Sequence, residues 1–346
     1  MDIKLTIGIT VYNKEKYIRR CLNSVLKTKG VKDLEIICVD DGSSDESLKF
    51  LRHYAAGNHS IRVIHTDNHG EFKARQEIIR AAKGEWIGFV DCDDEVRPDM
   101  YLKLLNAALR RPKVDIVICG YQRIDDTGKL ISRPQMVYFG DRVINTSRDK
   151  SAFSLIPPSS WNRIYRTEVL RNTFDLKRGP RILSDMLLFG SIIPEVRAIA
   201  FVGEPLYHYR INGEMATFDM GYRDLLETEK CILVLKEYYA QNYGVRYNEV
   251  LEFLVFLHVG LFFTIDYGSR EKGDSLTQVY RETVDFLNKN FPGWKRNRYL
   301  KLSCVRKYPK LFKTVCAFVL FKMPVWPAVA AIYRFLEKTV GLELKW

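Results

Sequence analysis

The chain of 346 residues lacks the cysteine spacing and the glycine motifs that mark several common protein classes. Its seven cysteines form no CxxC pair and fall mostly in apolar runs, which disfavours a zinc site and predicts reduced core thiols. No GxGxxG follows the first predicted strand and no GxxxxGK[ST] occurs, which argues against dinucleotide-dependent dehydrogenases and P-loop enzymes. No signal-peptide pattern precedes the first strand, so we expect a cytoplasmic protein.

Acidic residues are scarce at the C-terminal end. Residues 294–346 hold twelve Lys and Arg against two Glu, a balance of +10 within the total of +12. The apolar run 314–333 is interrupted by one lysine and two prolines, whereas a spanning helix requires about 20 apolar residues. This composition predicts an interfacial anchor, with bases against anionic headgroups and aromatics at the boundary. An ordinary helical subdomain with a basic face is the alternative, and nucleic acid is disfavoured by the apolar run.

Strand and helix patterns alternate five times in the first 120 residues, and this region carries the strongest structural signal. Short apolar, β-branched runs are followed by stretches with helical periodicity. The alternation predicts a doubly wound, mostly parallel sheet that binds a nucleotide at its strand ends. Helical periodicity returns from about residue 222. The five predicted strands are 5–11, 34–39, 61–65, 86–90 and 114–119.

The predicted strand 86–90 ends in a cluster of carboxylates. Asp91, Asp93 and Asp94 occupy three of four consecutive positions, and Glu95 follows at once. Carboxylates this close repel one another unless a cation lies among them, and Mg²⁺ and Mn²⁺ prefer such oxygen ligands. In open α/β sheets ligands bind at the carboxyl ends of the strands, which is where this cluster lies. A solvated acidic turn is the alternative for the motif taken alone.

Six motifs in this chain, taken together and in order, resemble the family-2 inverting glycosyltransferases of the GT-A fold, of the bacterial surface-polysaccharide type. The resemblance covers residues 4–217. It implies an α/β GT-A fold, Rossmann-like, with a mostly parallel central sheet flanked by helices and followed by a C-terminal helical, basic, membrane-associating region. The motifs are ITVYNKEKYIRRCLNSVL, EIICVDDGSSDES, DNHGEFKARQEIIRAAKGEWIGFVDCDDEVRPDM, WNRIYRTEVL, SDMLLFG and YHYRINGEMAT.

The resemblance also implies a division of the chain into three parts. Residues 1–120 would be the nucleotide-sugar-binding half of the GT-A domain. Residues 121–221 would be its acceptor and catalytic half. Residues 222–346 would form the helical C-terminal region with a basic amphipathic tail.

Nucleotide-binding roles follow from the resemblance for four strand-end and helix residues. Thr10 and Tyr12 would hold the base, with Tyr12 stacking on it, and Asp41 would accept the base N–H. Asp40 lies nearby and would support the turn. Arg75 would contact the nucleotide or its diphosphate, because a guanidinium suits phosphate geometry. The alternatives are a packed strand-end aromatic for Tyr12 and a surface helix residue for Arg75.

The metal would be Mn²⁺ or Mg²⁺, held by the acidic cluster. Asp91, Asp93 and Asp94 resemble the DxD motif, with Asp93 the favoured ligand and Asp91 also on the donor side. His208 lies where some relatives place a third metal ligand, and Arg210 where some place a diphosphate contact. Core packing for His208 and a surface ion pair for Arg210 are the alternatives.

Asp185 resembles the catalytic base of the family. Inversion is a single displacement, so the acceptor hydroxyl must lose its proton as it attacks, and one carboxylate within hydrogen-bond reach can take it. Relatives usually have Glu-Asp at this motif, whereas this chain has Ser184 before Asp185. A helix cap or a dipole partner is the alternative role of Asp185.

The sequence therefore predicts a metal-dependent, inverting hexosyl- or N-acetylhexosaminyltransferase. It would move a sugar from a nucleotide sugar, UDP-linked, to a glycan acceptor on a polyprenyl-diphosphate lipid, in cell-surface polysaccharide synthesis. We expect it to associate peripherally with the anionic inner face of the cell membrane. The alternatives are a non-catalytic nucleotide-sugar or glycan-binding protein at the membrane surface, and a nucleotidyl- or phosphotransferase on a related fold. A hydrolase is disfavoured, because it needs two carboxylates flanking the sugar bond.

Overall fold

Two compact units make up the chain by their backbone contacts. The computed structural model describes residues 4–148, 150–171, 176, 179–212, 221–267 and 276–340. The sheet unit comprises Met1–Asp149, Pro158–Gly179 and Ser191–Glu214. The helical unit comprises Lys150–Pro157, Pro180–Gly190 and Met215–Trp346. The division of the chain at residues 120 and 221 stays a prediction.

Within the described residues, nine strands form one sheet. They are β1 Leu5–Val11, β2 Leu34–Asp41, β3 Ile61–Thr66, β4 Trp86–Asp91, β5 Glu95–Val96, β6 Ile116–Ile124, β7 Val143–Asn145, β8 Arg163–Arg166 and β9 Ala198–Arg210. Their order in the sheet is β3-β2-β1-β4-β8-β6-β9-β5, with β7 paired to β9. The strands β3, β2, β1 and β4 run parallel, and so do β6 and β9. β8 lies antiparallel between β4 and β6.

All five strands predicted in the first 120 residues are confirmed, as β1, β2, β3, β4 and β6. Their near-continuous apolar runs fit strands that helices cover on both faces. β1 buries six of its seven residues. At Gly8 a Cβ would come within 2.5 Å of Ile78 on the third helix, so glycine permits that helix to pack closely on the sheet. The strand β8 was not predicted from the sequence.

The described helices flank the sheet or build the helical unit. A π-helix, Phe256–Phe263, follows directly on the α-helix Asn248–Val255. The α-helices are α1 Ile18–Leu26, α2 Ser47–Gly57, α3 Glu71–Ala81, α4 Met100–Leu109, α5 Thr167–Arg171, α6 Ser184–Ile192, α7 Tyr222–Tyr243, α8 Asn248–Val255, α9 Thr264–Tyr267, α10 Leu276–Asn290, α11 Leu302–Lys307, α12 Phe312–Phe321 and α13 Trp326–Val340.

Aromatic side chains form the core of the helical unit. Trp294 is 1% exposed and its ring stacks on that of Phe256, with centroids 5.4 Å apart. Trp326 is also buried and donates from Nε1 to Thr264 Oγ1 at 2.9 Å. The expectation that the aromatics of residues 294–346 lie at a membrane boundary is therefore wrong for Trp294, because packing against neighbouring helices removes this ring from the surface. In the described part of the chain, no helix combines the length and the apolar character needed to cross a bilayer.

Candidate active site

The carboxyl ends of β1, β2 and β4 meet at one edge of the sheet. Thr10 pairs in register with Asp91 on β4 and with Val39 on β2, and all three strands are parallel. Tyr12, two residues after Thr10, exposes half of its surface, so its ring is open to solvent rather than packed in the core. The structure thus brings Thr10, Tyr12, Asp41 and Asp91 to the same edge, as the strand pattern predicts.

A set of side-chain bonds ties the loop after β1 to the loop after β2. Asn13 has a left-handed backbone, with φ of 49°, which asparagine tolerates better than most residues. Its N–H donates to Ser43 Oγ at 3.0 Å and its Oδ1 accepts from the Ser44 N–H at 2.8 Å. The Lys14 N–H donates to Ser47 Oγ at 2.8 Å. These bonds hold the backbone that follows Tyr12. The sequence alone did not indicate this role for Asn13, although Asn13 directly follows the strand-end tyrosine.

The two aspartates at the end of β2 have different surroundings. Asp41 accepts the N–H groups of His69 and Gly70, one on each carboxylate oxygen and both at 2.8 Å, which fixes the turn before α3. Burial raises the pKa of Asp41 despite these donors. Asp40 is fully buried and its Oδ2 bonds to His65 Nδ1 at 2.7 Å. Among the described residues its Oδ1 has no hydrogen-bond partner, so this buried carboxylate keeps one unused acceptor.

Arg75 lies inside the sheet unit rather than on its surface. It is 1% exposed, and its Nη2 donates to Glu71 at 2.6 Å and to Asp91 Oδ1 at 3.3 Å. Its guanidinium also lies over the ring of Phe89. The alternative of a surface helix residue is therefore wrong. Arg75 places a positive charge beside the carboxylate that ends β4.

Asp94 is directed into the protein. It is 1% exposed, its Oδ2 accepts from the Tyr207 hydroxyl at 2.6 Å, and its Oδ1 accepts from the Arg210 N–H at 2.6 Å. Burial raises the pKa of Asp94 well above its usual range, and the charges of Asp93 and Asp91 raise it further. The geometry does not support Asp94 as a metal ligand, because both of its oxygens hold the end of β9.

Arg210 is fully buried and supports the backbone of the acidic turn. Its Nε donates to the Asp93 carbonyl oxygen at 2.7 Å, and its Nη1 donates to the Asp125 carbonyl oxygen at 2.5 Å. Its Nη2 pairs with the Glu95 carboxylate. The ion pair of Arg210 is therefore buried rather than on the surface, and its expected diphosphate contact stays a prediction. Arg210 is a positioning residue that fixes the turn carrying Asp93.

Asp93 is the acidic-turn residue that faces the candidate site. Its Oδ2 accepts from Lys14 Nζ and from Asn212 Nδ2, each at 3.1 Å, and its side chain is 19% exposed. His208 instead pairs in register with Glu95, and burial lowers its pKa. No group of three His, Cys, Asp or Glu side chains suited to a metal occurs within the described ranges. The structure therefore does not assemble Asp93, Asp94 and His208 as a three-ligand set.

Asp185 lies in the first turn of α6 and is half-buried. The residue two positions before it, Leu183, has a left-handed backbone with φ of 60°. That conformation costs an L-residue with a side chain on the order of 1 kcal/mol, and such strain marks candidate functional turns. Asp185 belongs to the helical unit, whereas Asp91 and Asp93 belong to the sheet unit. The role of Asp185 as the base stays a prediction.

Comparisons with known proteins show what the chain and its fold are similar to. Residues 6–174 match the sequence profile described as "Glycosyl transferase family 2". EpsH of Bacillus subtilis (strain 168), named as a glycosyltransferase, is 33% identical over 212 residues, which is 60% of this chain and 61% of EpsH. "Uncharacterized glycosyltransferase EpsJ" of the same strain is 30% identical over 229 residues, which is 64% of this chain and 65% of EpsJ. The chain thus spans less than two thirds of the length of these relatives.

The solved structure of TarS from Staphylococcus aureus shows the fold. The crystal structure of its residues 1–349 in complex with UDP-GlcNAc superposes with a TM-score of 0.67 at 18% identity. The match covers 99% of this chain and 93% of that one. The predicted GT-A fold, with its mostly parallel central sheet, flanking helices and C-terminal helical region, is confirmed.

Proposed function

The chain carries a glycosyl transferase family 2 domain, and from this premise we propose that it transfers a sugar from a UDP-linked donor to a glycan acceptor in surface-polysaccharide synthesis. The observation that carries the proposal is the convergence of an exposed tyrosine, buried aspartates, an arginine and an acidic turn at one sheet edge. The TarS complex with UDP-GlcNAc, on the same fold, supports a UDP-linked donor.

The base of the donor would bind at the ends of β1 and β2. Tyr12 offers an exposed ring for stacking. A uracil N–H needs an acceptor, and either Asp41 or Asp40 supplies a carboxylate. Asp40 is favoured because its Oδ1 has no partner, whereas both oxygens of Asp41 already accept backbone N–H groups. The Asp40 Oδ1 is buried, so the end of β2 would have to open when the donor binds. Thr10 lies at the same edge and would border the base.

A divalent cation, Mn²⁺ or Mg²⁺, is implied by the family, and the residues at the end of β4 fit one. Mg²⁺ is usually bound by one or two carboxylates together with substrate phosphates. Asp91 and Asp93 are both partly exposed, and the Lys14 ammonium already lies 3.1 Å from Asp93 Oδ2 as a stand-in cation. Asp91 and Asp93 would hold the ion with the donor diphosphate. When bound, the ion neutralises charge on the leaving diphosphate.

The transfer itself requires a base for the acceptor hydroxyl. We assign this role to Asp185, which would take the hydroxyl proton as the oxygen attacks the anomeric carbon. A new glycosidic C–O bond forms on one face of that carbon while the bond to the diphosphate breaks on the other, which inverts the configuration. Arg75, buried beside Asp91, would hold its carboxylate in place and add positive charge near the diphosphate.

The acceptor would be a glycan on a polyprenyl-diphosphate lipid, and the protein would act at the inner face of the cell membrane as a peripheral protein. The support is the charge balance of +10 in residues 294–346. Anionic headgroups attract such basic segments.

A thermal-shift screen of nucleotides and nucleotide sugars tests the donor, because a ligand of the folded state raises apparent stability. We expect UDP and a UDP-sugar to raise Tm more in Mn²⁺ than in a chelator. GDP-, CDP- and dTDP-sugars would serve as matched ligands. A stronger response to another nucleotide would overturn the UDP assignment, and a response without any turnover would favour the non-catalytic binding protein.

The variant Asp185→Asn tests the base. General base catalysis contributes roughly 10²- to 10⁴-fold, so transfer should fall by that factor while the UDP-induced Tm shift is retained. Asp285→Asn, at an exposed position on α10 of the same unit, is the control and should transfer normally. Normal transfer by Asp185→Asn would remove it from the reaction.

A further inference from the structure

Helix α12 is apolar on its exposed side as well as on its buried side. Val315 and Phe318 face the core, and the Phe318 ring lies 6.2 Å from that of Trp294. The outer positions Phe312, Cys316, Val319 and Met323 follow at intervals of four, three and four residues, and all four are exposed. A helix that is apolar all round is normally covered by another apolar phase.

Helix α13, the next helix in the chain, also exposes apolar side chains. Its exposed apolar positions include Ile332 and Phe335, and Phe335 leaves 66% of its surface in solvent. Val325, in the link between the two helices, is exposed as well. We call these outward residues the α12–α13 apolar face, defined by Phe312, Val319, Met323, Val325, Ile332 and Phe335.

The charge around this face indicates what covers it. Residues 294–325 contain nine Lys and Arg and no Asp or Glu. Lys313 and Lys322 lie at the two ends of α12, and both are exposed. A second copy of this chain would bring the same positive charge against it. A bilayer with anionic headgroups meets both requirements, because it presents negative charge outside an apolar interior.

We propose that the α12–α13 apolar face lies in the headgroup boundary of an anionic bilayer, with Lys313, Lys322 and the neighbouring bases on lipid phosphates. The proposal refines the membrane association proposed above and moves the contact from the buried Trp294 to the outer face of α12 and α13. A protein with this face in the bilayer lies on the membrane without crossing it, as short amphipathic helices do.

Cys316, exposed on α12 between Phe312 and Val319, provides a probe beside the face. In the full-length protein, Cys231→Ser and Cys304→Ser remove the two half-buried thiols, and burial shields the other four from the label. The exposed Cys316 is then labelled with an environment-sensitive NBD group. With phosphatidylglycerol–phosphatidylcholine vesicles, NBD emission should shift to the blue and rise. Pure phosphatidylcholine vesicles should give a much smaller change. No change with the anionic vesicles would overturn the proposal.

Vesicle sedimentation of unlabelled variants separates the contribution of the apolar side chains to membrane affinity from the contribution of the lysine charges. Phe312→Glu with Val319→Glu should reduce binding on the order of a hundredfold, since each apolar side chain kept in water costs roughly tenfold. Lys313→Gln with Lys322→Gln should reduce it by roughly tenfold or more, and only on anionic vesicles. Val245→Glu, at an exposed apolar position elsewhere in the helical unit, is the control and should bind normally.

Two further readouts distinguish the other outcomes. Light scattering tests whether the face joins two copies of the chain. If the unmodified protein is a dimer that does not bind vesicles, and Phe312→Glu with Val319→Glu abolishes the dimer, the face belongs to a second copy and the proposal is overturned. The UDP-induced Tm shift should be unchanged in all these variants. If the protein fails to bind vesicles but keeps the UDP-induced Tm shift, the membrane proposal falls and the proposed transferase function stands. If the unmodified protein shows no UDP-induced Tm shift, the result counts against the transferase function instead.

Discussion

Lys14 and Asp93 form an ion pair at the candidate active site, with Lys14 Nζ 3.1 Å from Asp93 Oδ2. The same oxygen accepts an N–H from Asn212. Lys14 follows the end of β1, Asp93 follows the end of β4, and these strands are neighbours. The carboxylate favoured as the metal ligand therefore already has a cation beside it, and the chain supplies that cation.

Lys14 and a divalent metal would compete for the same carboxylate oxygen. We expect Lys14→Met to tighten Mn²⁺ binding roughly two- to fivefold, the factor expected for removing a partly exposed ion pair. Electron paramagnetic resonance of free Mn²⁺ during titration of the nucleotide-free protein measures this directly. Lys16→Met, which removes an exposed lysine paired with Asp126, is the control and should change the affinity little. If Asp93→Asn and Lys14→Met both leave Mn²⁺ affinity unchanged, Asp93 is not a ligand.

The base-binding aspartate is tested by a pair of variants at adjacent positions. Asp40→Asn should weaken UDP binding on the order of tenfold, because a lost hydrogen bond to a charged group costs about 1.5–3 kcal/mol. Asp41→Asn should chiefly lower Tm, because its carboxylate holds the N–H groups of His69 and Gly70. Calorimetric titration with UDP and thermal unfolding of each variant separate the two effects. If Asp41→Asn loses UDP binding at an unchanged Tm, Asp41 rather than Asp40 accepts the base N–H.

Tyr207 is expected to contribute to stability through the acidic turn. Its hydroxyl donates to Asp94 Oδ2 at 2.6 Å and accepts the Asp91 N–H at 3.3 Å. Tyr207→Phe leaves buried polar groups without a partner and should cost about 1–3 kcal/mol in urea unfolding. Tyr54→Phe removes an exposed hydroxyl bond to Asn23 and is the matched control. Equal losses in the two variants would show that the buried network adds nothing beyond an ordinary surface bond.

The strands and the edge where the site lies could be predicted because each apolar run ends in polar turn residues. β8 could not, because its sequence RIYR carries two arginines, and Arg163 is buried with its guanidinium bonded to Asn162 and Ser159. Periodicity alone gives no reason to bury such a residue. Antiparallel insertion of this strand between β4 and β6 depends on tertiary contacts.

The individual roles within the acidic cluster could not be predicted for a similar reason. Asp93 and Asp94 are adjacent and chemically identical, and their directions depend on how Arg210 and Tyr207 hold the turn from β9, more than 110 residues away. Composition likewise could not distinguish Trp294, which packs on Phe256, from Phe312, which faces solvent. Both lie in the same basic, aromatic stretch of sequence.

A carboxylate pair in the helical unit makes stability depend on pH. Glu229 on α7 and Glu282 on α10 are half-buried, and within the described ranges Glu229 Oε1 and Glu282 Oε2 have no hydrogen-bond partner. Burial raises the pKa of Glu229 to about 7, and the charge of Glu282 adds to the rise. At pH values above the ordinary glutamate pKa, Glu229 in the folded protein therefore keeps a proton that the unfolded chain has released.

Because the pKa is raised on folding, the stabilisation from this proton is complete below the unfolded value of 4.5 and is lost as pH rises through about 7. Glu229→Gln keeps a neutral side chain at every pH. We expect it to raise Tm by roughly 2–4 °C at pH 8 and to change it little at pH 4.5. Glu237→Gln, at an exposed position on the same helix, is the control and should show no such difference between the two pH values. A gain in Tm for Glu229→Gln that is equal at both pH values would mean that the carboxylate charge is not the cause.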